Sequence, residues 1–113
     1  MSAEPVYYPQ PRNHGIHSLI KQIADRLRPH LIYLNERLSD KSSDIFLYQS
    51  VILEVEKIKN EVSNHDCLCA IQNAINHLEK AIELSQNSAM NEEILWHLQE
   101  VMALFFKIQN LPS

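Results

Sequence analysis

The sequence predicts an all-α protein, an antiparallel up-down-up-down four-helix bundle, and three observations carry that prediction. The 113 residues include a single glycine, Gly15, whereas strand-and-turn folds depend on glycine at their tight turns. Four segments of about 20 residues repeat apolar positions at steps of three and four, the period of a helix seam rather than of a strand. Short polar stretches join these segments, and short connections favour antiparallel neighbours.

Residues 1–13 form the first unit, an extended N-terminal arm in which Pro5, Pro9 and Pro11 surround Val6, Tyr7 and Tyr8. Proline at this density holds the backbone extended and blocks helix. Two adjacent tyrosines and a valine are costly to leave in water, so the arm is expected on a surface, its own or a partner's. Residues 14–113 form one bundle domain. Its first helix spans about 15–39, with the seam Ile16, Ile20, Ile23, Leu27, Leu31, Leu34 and Leu38. Pro29 lies inside it and removes a backbone bond. The seam keeps its phase on both sides, which predicts one helix kinked at Pro29 rather than two. The polar loop Ser39–Asp44 ends in N-cap residue types. The second helix (about 44–63) carries Tyr48, Val51, Val55, Ile58 and Val62. The third (about 67–86) follows Asp66 as a cap and carries Leu68, Ile71, Ile75, Leu78 and Ile82, flanked by Ala70, Ala74 and Ala81. The fourth (about 91–110) is stopped by Leu111-Pro112. Eleven of the fifteen residues from Ile94 to Ile108 are apolar. Wound at roughly 100° per residue they cover about 200°, twice the arc a surface helix needs. That helix requires neighbours on more than one side, and its surplus is Leu95, Met102 and Phe106 on one shoulder with Trp96 on the back. A variant in which two helical hairpins complete their core by dimerising fits the same surplus.

A net charge of −4 disfavours a nucleic-acid backbone or an anionic membrane surface as the main partner. Residues 1–41 hold six basic and four acidic side chains, and residues 42–113 hold four and ten. A basic first helix facing acidic ones suggests internal complementarity or a head-to-tail contact between subunits. The longest apolar run, Val101–Phe106, is far short of a membrane span, and the amino terminus shows no apolar signal region. Cys67 and Cys69 stand two residues apart, so on a helix they point to nearly opposite sides and do not bridge. The expectation is a cytoplasmic protein with reduced thiols.

Six histidines, His14, His17, His30, His65, His77 and His97, are candidates for chemistry. Bundle di-metal sites need Glu-x-x-His on one helix face, and none is present. His14 and His17 could supply two ligands, but no third is evident. The run His65-Asp66-Cys67-Leu68-Cys69 lacks the separated ligand pairs of a zinc site. Neither a metal nor a cofactor is expected. Cys69, one turn inside a helix start, projects away from the seam, and Cys67 projects into it. A catalytic thiol would need a base and an oxyanion site that the sequence does not place, so an enzyme is not expected. His30, beside Pro29, and His97, on the edge of the apolar arc, read as boundary histidines.

The stretch His77-Leu78-Glu79-Lys80-Ala81 resembles the His-x-Leu-Lys-Gly motif of histidine phosphotransfer domains, themselves four-helix bundles. Lys80 matches, the leucine is displaced by one, and alanine replaces glycine. That resemblance implies a phosphoacceptor His77 assisted by Lys80, the alternative reading of function.

The apolar residues outside the seams are more informative. Trp96 projects onto the polar side of the fourth helix, and Phe46 and Leu53 project together onto the back of the second, as Ile32 does on the first. Large aromatic side chains in such places are types enriched at protein interfaces. The expected function is therefore a small non-catalytic interaction module, an adaptor, inhibitor or regulatory binding protein. It would contact another protein, or a second copy in a homodimer, through Trp96, Phe46, Leu53, Phe106, Tyr7 and Tyr8.

Overall fold

A computed structural model describes residues 12–36, 41–87 and 89–111. The arm with Tyr7 and Tyr8, Leu38 with the predicted end of the first helix, and Pro112 lie outside the described residues. Four helices carry the chain: α1 (Arg12–Asn35), α2 (Lys41–Lys59), α3 (His65–Gln86) and α4 (Asn91–Gln109). The described residues contain no strand. The protein is all-α, and its helices pack as a bundle.

Each helix follows from local chemistry, with departures from the sequence expectation at the ends. α1 runs unbroken through Pro29, whose side chain is exposed. α2 ends at Lys59, four residues before the expected 63, because the chain tightens there: Glu61 N–H donates to the Ile58 carbonyl and Val62 N–H to that of Lys59. Val62 stays buried although it has left the helix. The cap of α3 is Asn64, not Asp66. Its Oδ1 accepts from the Cys67 amide at 2.9 Å, which satisfies one of the free amides of the first turn. Met90 stands at the N-cap of α4 and offers no side-chain cap. Asn91, the first residue of the helix and itself of a capping type, donates to the Leu34 carbonyl at 3.2 Å and ties the start of α4 to the end of α1. At the opposite end, His17 Nε2 and the Leu111 carbonyl lie 3.0 Å apart.

The core is one contiguous cluster drawn from all four helices. The predicted seams of α2 and α4 are buried at every position, from Tyr48 to Val62 and from Ile94 to Ile108. The seam of α3 is displaced. Leu68 and Ile82 are half-buried, while Cys67, Ala70, Ala74, Ala81 and Ser85 face inward with Ile71, Ile75 and Leu78. Small side chains let neighbouring backbones approach, and α3 packs closely on both α2 and α4. Packing geometry thus outweighed side-chain size in choosing the inner face.

The helices form a ring of contacts: α4 lies against α1 and α3, α3 against α2, and α1 meets α2 most loosely. The backbones of α1 and α3 approach nowhere within 8 Å, Cα to Cα, nor do those of α2 and α4. These two pairs occupy the diagonals, and that arrangement positions every surface considered below.

Candidate functional site

Each Phe, Leu or Trp side chain left in water forgoes the ~1.5–3 kcal/mol its burial would contribute, so large exposed ones are the first place to look. Among the described residues, Phe46 (73 % exposed), Phe106 (69 %), Leu53 (61 %) and Trp96 (53 %) are the main ones on α2 and α4. Phe46 and Leu53 lie two turns apart, directly opposite the inward positions Tyr48, Val51 and Val55. On α4, residues 96, 99, 103 and 106 follow steps of three, four and three. Trp96, Gln99, Ala103 and Phe106 therefore share one stripe, all of them exposed, about 15 Å long at 1.5 Å per residue. α2 and α4 lie on a diagonal, so the two stripes face opposite sides of the molecule. The predicted contact residues form two surfaces and not one. Leu95 and Met102, the other surplus residues of α4, are half-buried against the core.

Trp96 does not stand alone. Its ring meets His97 edge-on at 4.9 Å and His77 of α3 at 5.8 Å. The Nδ1 atoms of His77 and His97 are 2.9 Å apart. Two neutral imidazoles can share that contact only as opposite tautomers, one donating N–H and the other accepting. Burial is the main cause that pushes the His97 pKa down. His77 and Lys80 add to that shift, and Glu100 and Glu93 oppose it. Lys80 points to Glu83 at 3.4 Å. The phosphoacceptor candidate is thus half-buried and engaged at one ring nitrogen.

A second cluster lies inside the bundle. His30 of α1, Asp44 and Tyr48 of α2, and Ser85 of α3 are all buried. The Tyr48 hydroxyl is 2.6 Å from His30 Nε2, and His30 Nδ1 is 3.7 Å from Asp44 Oδ1. Burial pushes the His30 pKa down despite Asp44, so the ring is neutral near pH 7. Tyr48 then donates O–H to Nε2, and Nδ1–H is directed at the carboxylate. Burial, helped by Asp44, pushes the phenol pKa up, while Ser85 works the other way. The order acid, imidazole, hydroxyl is that of a nucleophile relay. Here the hydroxyl is fully enclosed and hard to ionise, and its contact with His30 makes a polar clasp between α1 and α2, with the buried Ser85 of α3 beside it.

Sequence reading missed this clasp. It took Asp44 for a loop cap and His30 for a boundary residue. The signal was nonetheless present: His30 falls between Leu27 and Leu34 at steps of three and four, Asp44 four before Tyr48, and Ser85 four after Ala81.

The cysteines divide as expected. Cys67 is buried, with its thiol pushed up by burial. Cys69 is exposed, with Sγ 3.5 Å from His65 Nε2 on the preceding turn. No group of three or more histidine, cysteine or acidic side chains suited to a metal exists among the described residues. No helix among them is long and apolar enough to cross a membrane. The loose α1–α2 seam carries an open groove of about 220 Å³ lined by Leu19, Ile23, Glu54, Lys57, Ile58 and Glu61. Arg26 spans that seam with two bonds to Glu54, at 2.9 and 2.8 Å, a pair of opposite charges joining α1 and α2. No protein-family model, curated protein or solved structure matches the chain.

Proposed function

We propose that this chain is a small non-catalytic protein-interaction module, an adaptor, inhibitor or regulatory binding protein that also associates with itself. The observation that carries the reading is the simultaneous presence of a filled core and exposed Trp96, Phe106, Phe46 and Leu53. A chain that has already satisfied its interior has no folding use for those side chains, and they are of a kind that anchors interfaces. Tyr7 and Tyr8 extend the contact set in this proposal, through an arm that reaches a partner or the bundle itself. Helices that alternate up and down, with a bend in α1 at Pro29, complete the proposed architecture. The paired contacts 17 with 111, 34 with 91, 26 with 54 and 30 with 48 support the alternation. A cytoplasmic location fits two free cysteines, one of them exposed.

The test is a pull-down from cell extract with the purified protein as bait. Trp96→Ala and Phe46→Ala are expected to lose captured partners by at least about tenfold, the effect of removing a contact worth ~1.4 kcal/mol. Equal capture by wild type and both variants would remove the reading. Phosphotransfer through His77 with Lys80 is the alternative. It receives less support because the His77 ring is held by His97. Stable labelling of His77 by a small acyl phosphate donor, abolished in His77→Gln, would reverse that preference.

A further inference from the structure

We propose that the occupant of the α4 stripe is a second copy of the same stripe, docked antiparallel about a two-fold axis at the level of Val101. This inference rests on the self-association part of the proposed function and specifies its geometry.

Three features of α4 lead to it. The stripe is close to self-complementary end for end: a large aromatic at 96, a large aromatic at 106, and the shorter Gln99 and Ala103 between them. Reversed on itself, it sets Trp96 of one copy against Phe106 of the other, twice, with Gln99 facing Ala103 at the centre. Trp96 and Phe106 are more than half exposed, so each pairing removes apolar area from water on both sides. Charge then selects the direction. Glu93 lies in the first turn of α4 and Lys107 in the last, and both are exposed. Residues 93, 100 and 107 repeat every seven positions, so they line one flank of the stripe. In an antiparallel pair the same flanks meet, and Lys107 of one copy lies within a turn of Glu93 of the other. In a parallel two-fold pair that flank would meet the opposite one, where Leu95, Met102 and Gln109 carry no charge, and the Glu93–Lys107 contact would be lost. Glu100, half-buried on the same flank, comes near its own mate at the axis and works against the dimer. The α2 stripe lacks this sorting of charge, since Glu56 and Lys57 are adjacent in sequence.

The experiment is analytical ultracentrifugation of the full chain with charge-reversed variants, singly and mixed. Wild type is expected to dimerise. Lys107→Glu alone and Glu93→Lys alone are each expected to weaken the dimer by roughly tenfold or more, as like charges are placed opposite one another. Mixing the two variants restores both contacts, so a heterodimer of near wild-type affinity is expected. Trp96→Ala is expected to weaken association by roughly thirtyfold, whereas Phe46→Ala and Leu53→Ala leave it unchanged. Glu100→Gln is expected to tighten it. Circular dichroism of every variant separates loss of association from loss of fold. A dimer that survives Trp96→Ala and is broken by Phe46→Ala would overturn the α4 geometry and keep self-association. So would two charge variants that fail to rescue each other. A wild-type chain that stays monomeric at high concentration would overturn both.

Discussion

Two neighbouring residues show how much position decides at the smallest scale. Phe105 is fully buried and Phe106 is 69 % exposed, yet they are chemically identical and share a backbone. Phe105→Ala is expected to cost about 3–5 kcal/mol through lost burial and a residual cavity. Phe106→Ala is expected to stay within about 0.5 kcal/mol in the monomer. Urea denaturation at low protein concentration measures both, and equal losses would mean that α4 is rotated from the orientation described. The histidines offer a second residue-scale test. His30 and His97 have folded-state pKa values pushed below the ordinary 6.5, each mainly by burial. The unfolded chain takes up protons near 6.5 while the folded chain resists them, so the stability these neutral rings allow is present above that pH. It is lost as the pH falls toward the lower folded values. Asp44 faces His30 and moderates the effect. Glu93 and Glu100 do the same for His97, whereas His77 and Lys80 enhance it. The denaturation midpoint is therefore expected to drop between pH 7 and pH 5, with a shallower slope in His30→Gln. An unchanged midpoint would contradict a neutral, buried His30.

At the scale of the element, the seams were legible and their ends were not. The step of three and four residues placed the inner faces of α2 and α4 correctly because both carry large aliphatic or aromatic side chains there. On α3 the same rule favoured Leu68 and Ile82 over the alanines, and it erred because close backbone approach also buries area. Caps were misplaced for a related reason. Several polar residues in succession can each begin a helix, and the tertiary contact chooses. Asn64 was preferred to Asp66, and Asn91 bonds to the Leu34 carbonyl. The cap has a measurable consequence. Asn64→Ala is expected to destabilise the protein by about 1 kcal/mol, as the Cys67 amide loses its acceptor. Asn64→Asp is expected to restore that loss. If Asn64→Ala matches wild type in thermal melts, the α3 start is held by other contacts.

The whole molecule adds what no single helix announces. His30, Asp44, Tyr48 and Ser85 come from three helices, and each fits its own seam at the right spacing. Only their meeting makes a polar clasp, because the residues that meet lie 14 to 37 positions apart. The division of exposed apolar residues into two surfaces was equally hidden. Sequence periodicity assigns each helix an outer face, whereas the order of helices around the ring decides whether two outer faces point the same way. The ring here is unequal, close between α3 and its neighbours and open between α1 and α2. The groove at Leu19 and Ile58 is the result of that inequality.

The diagonal placement of α2 and α4 leads on to a matter of valency. In a dimer joined through α4, each α2 faces outward on the far side of its own bundle. The pair then displays two Phe46–Leu53 stripes at a fixed separation. A single stripe of two residues is a weak ligand for any partner. Two on one rigid body turn the second encounter into an intramolecular event, with avidity that can exceed the single-site affinity by about 10²–10⁴ where the partner is itself paired or repeated. Dilution that splits the dimer would abolish that gain without altering a contact residue. The concentration of the chain would then set how strongly it grips a repeated partner.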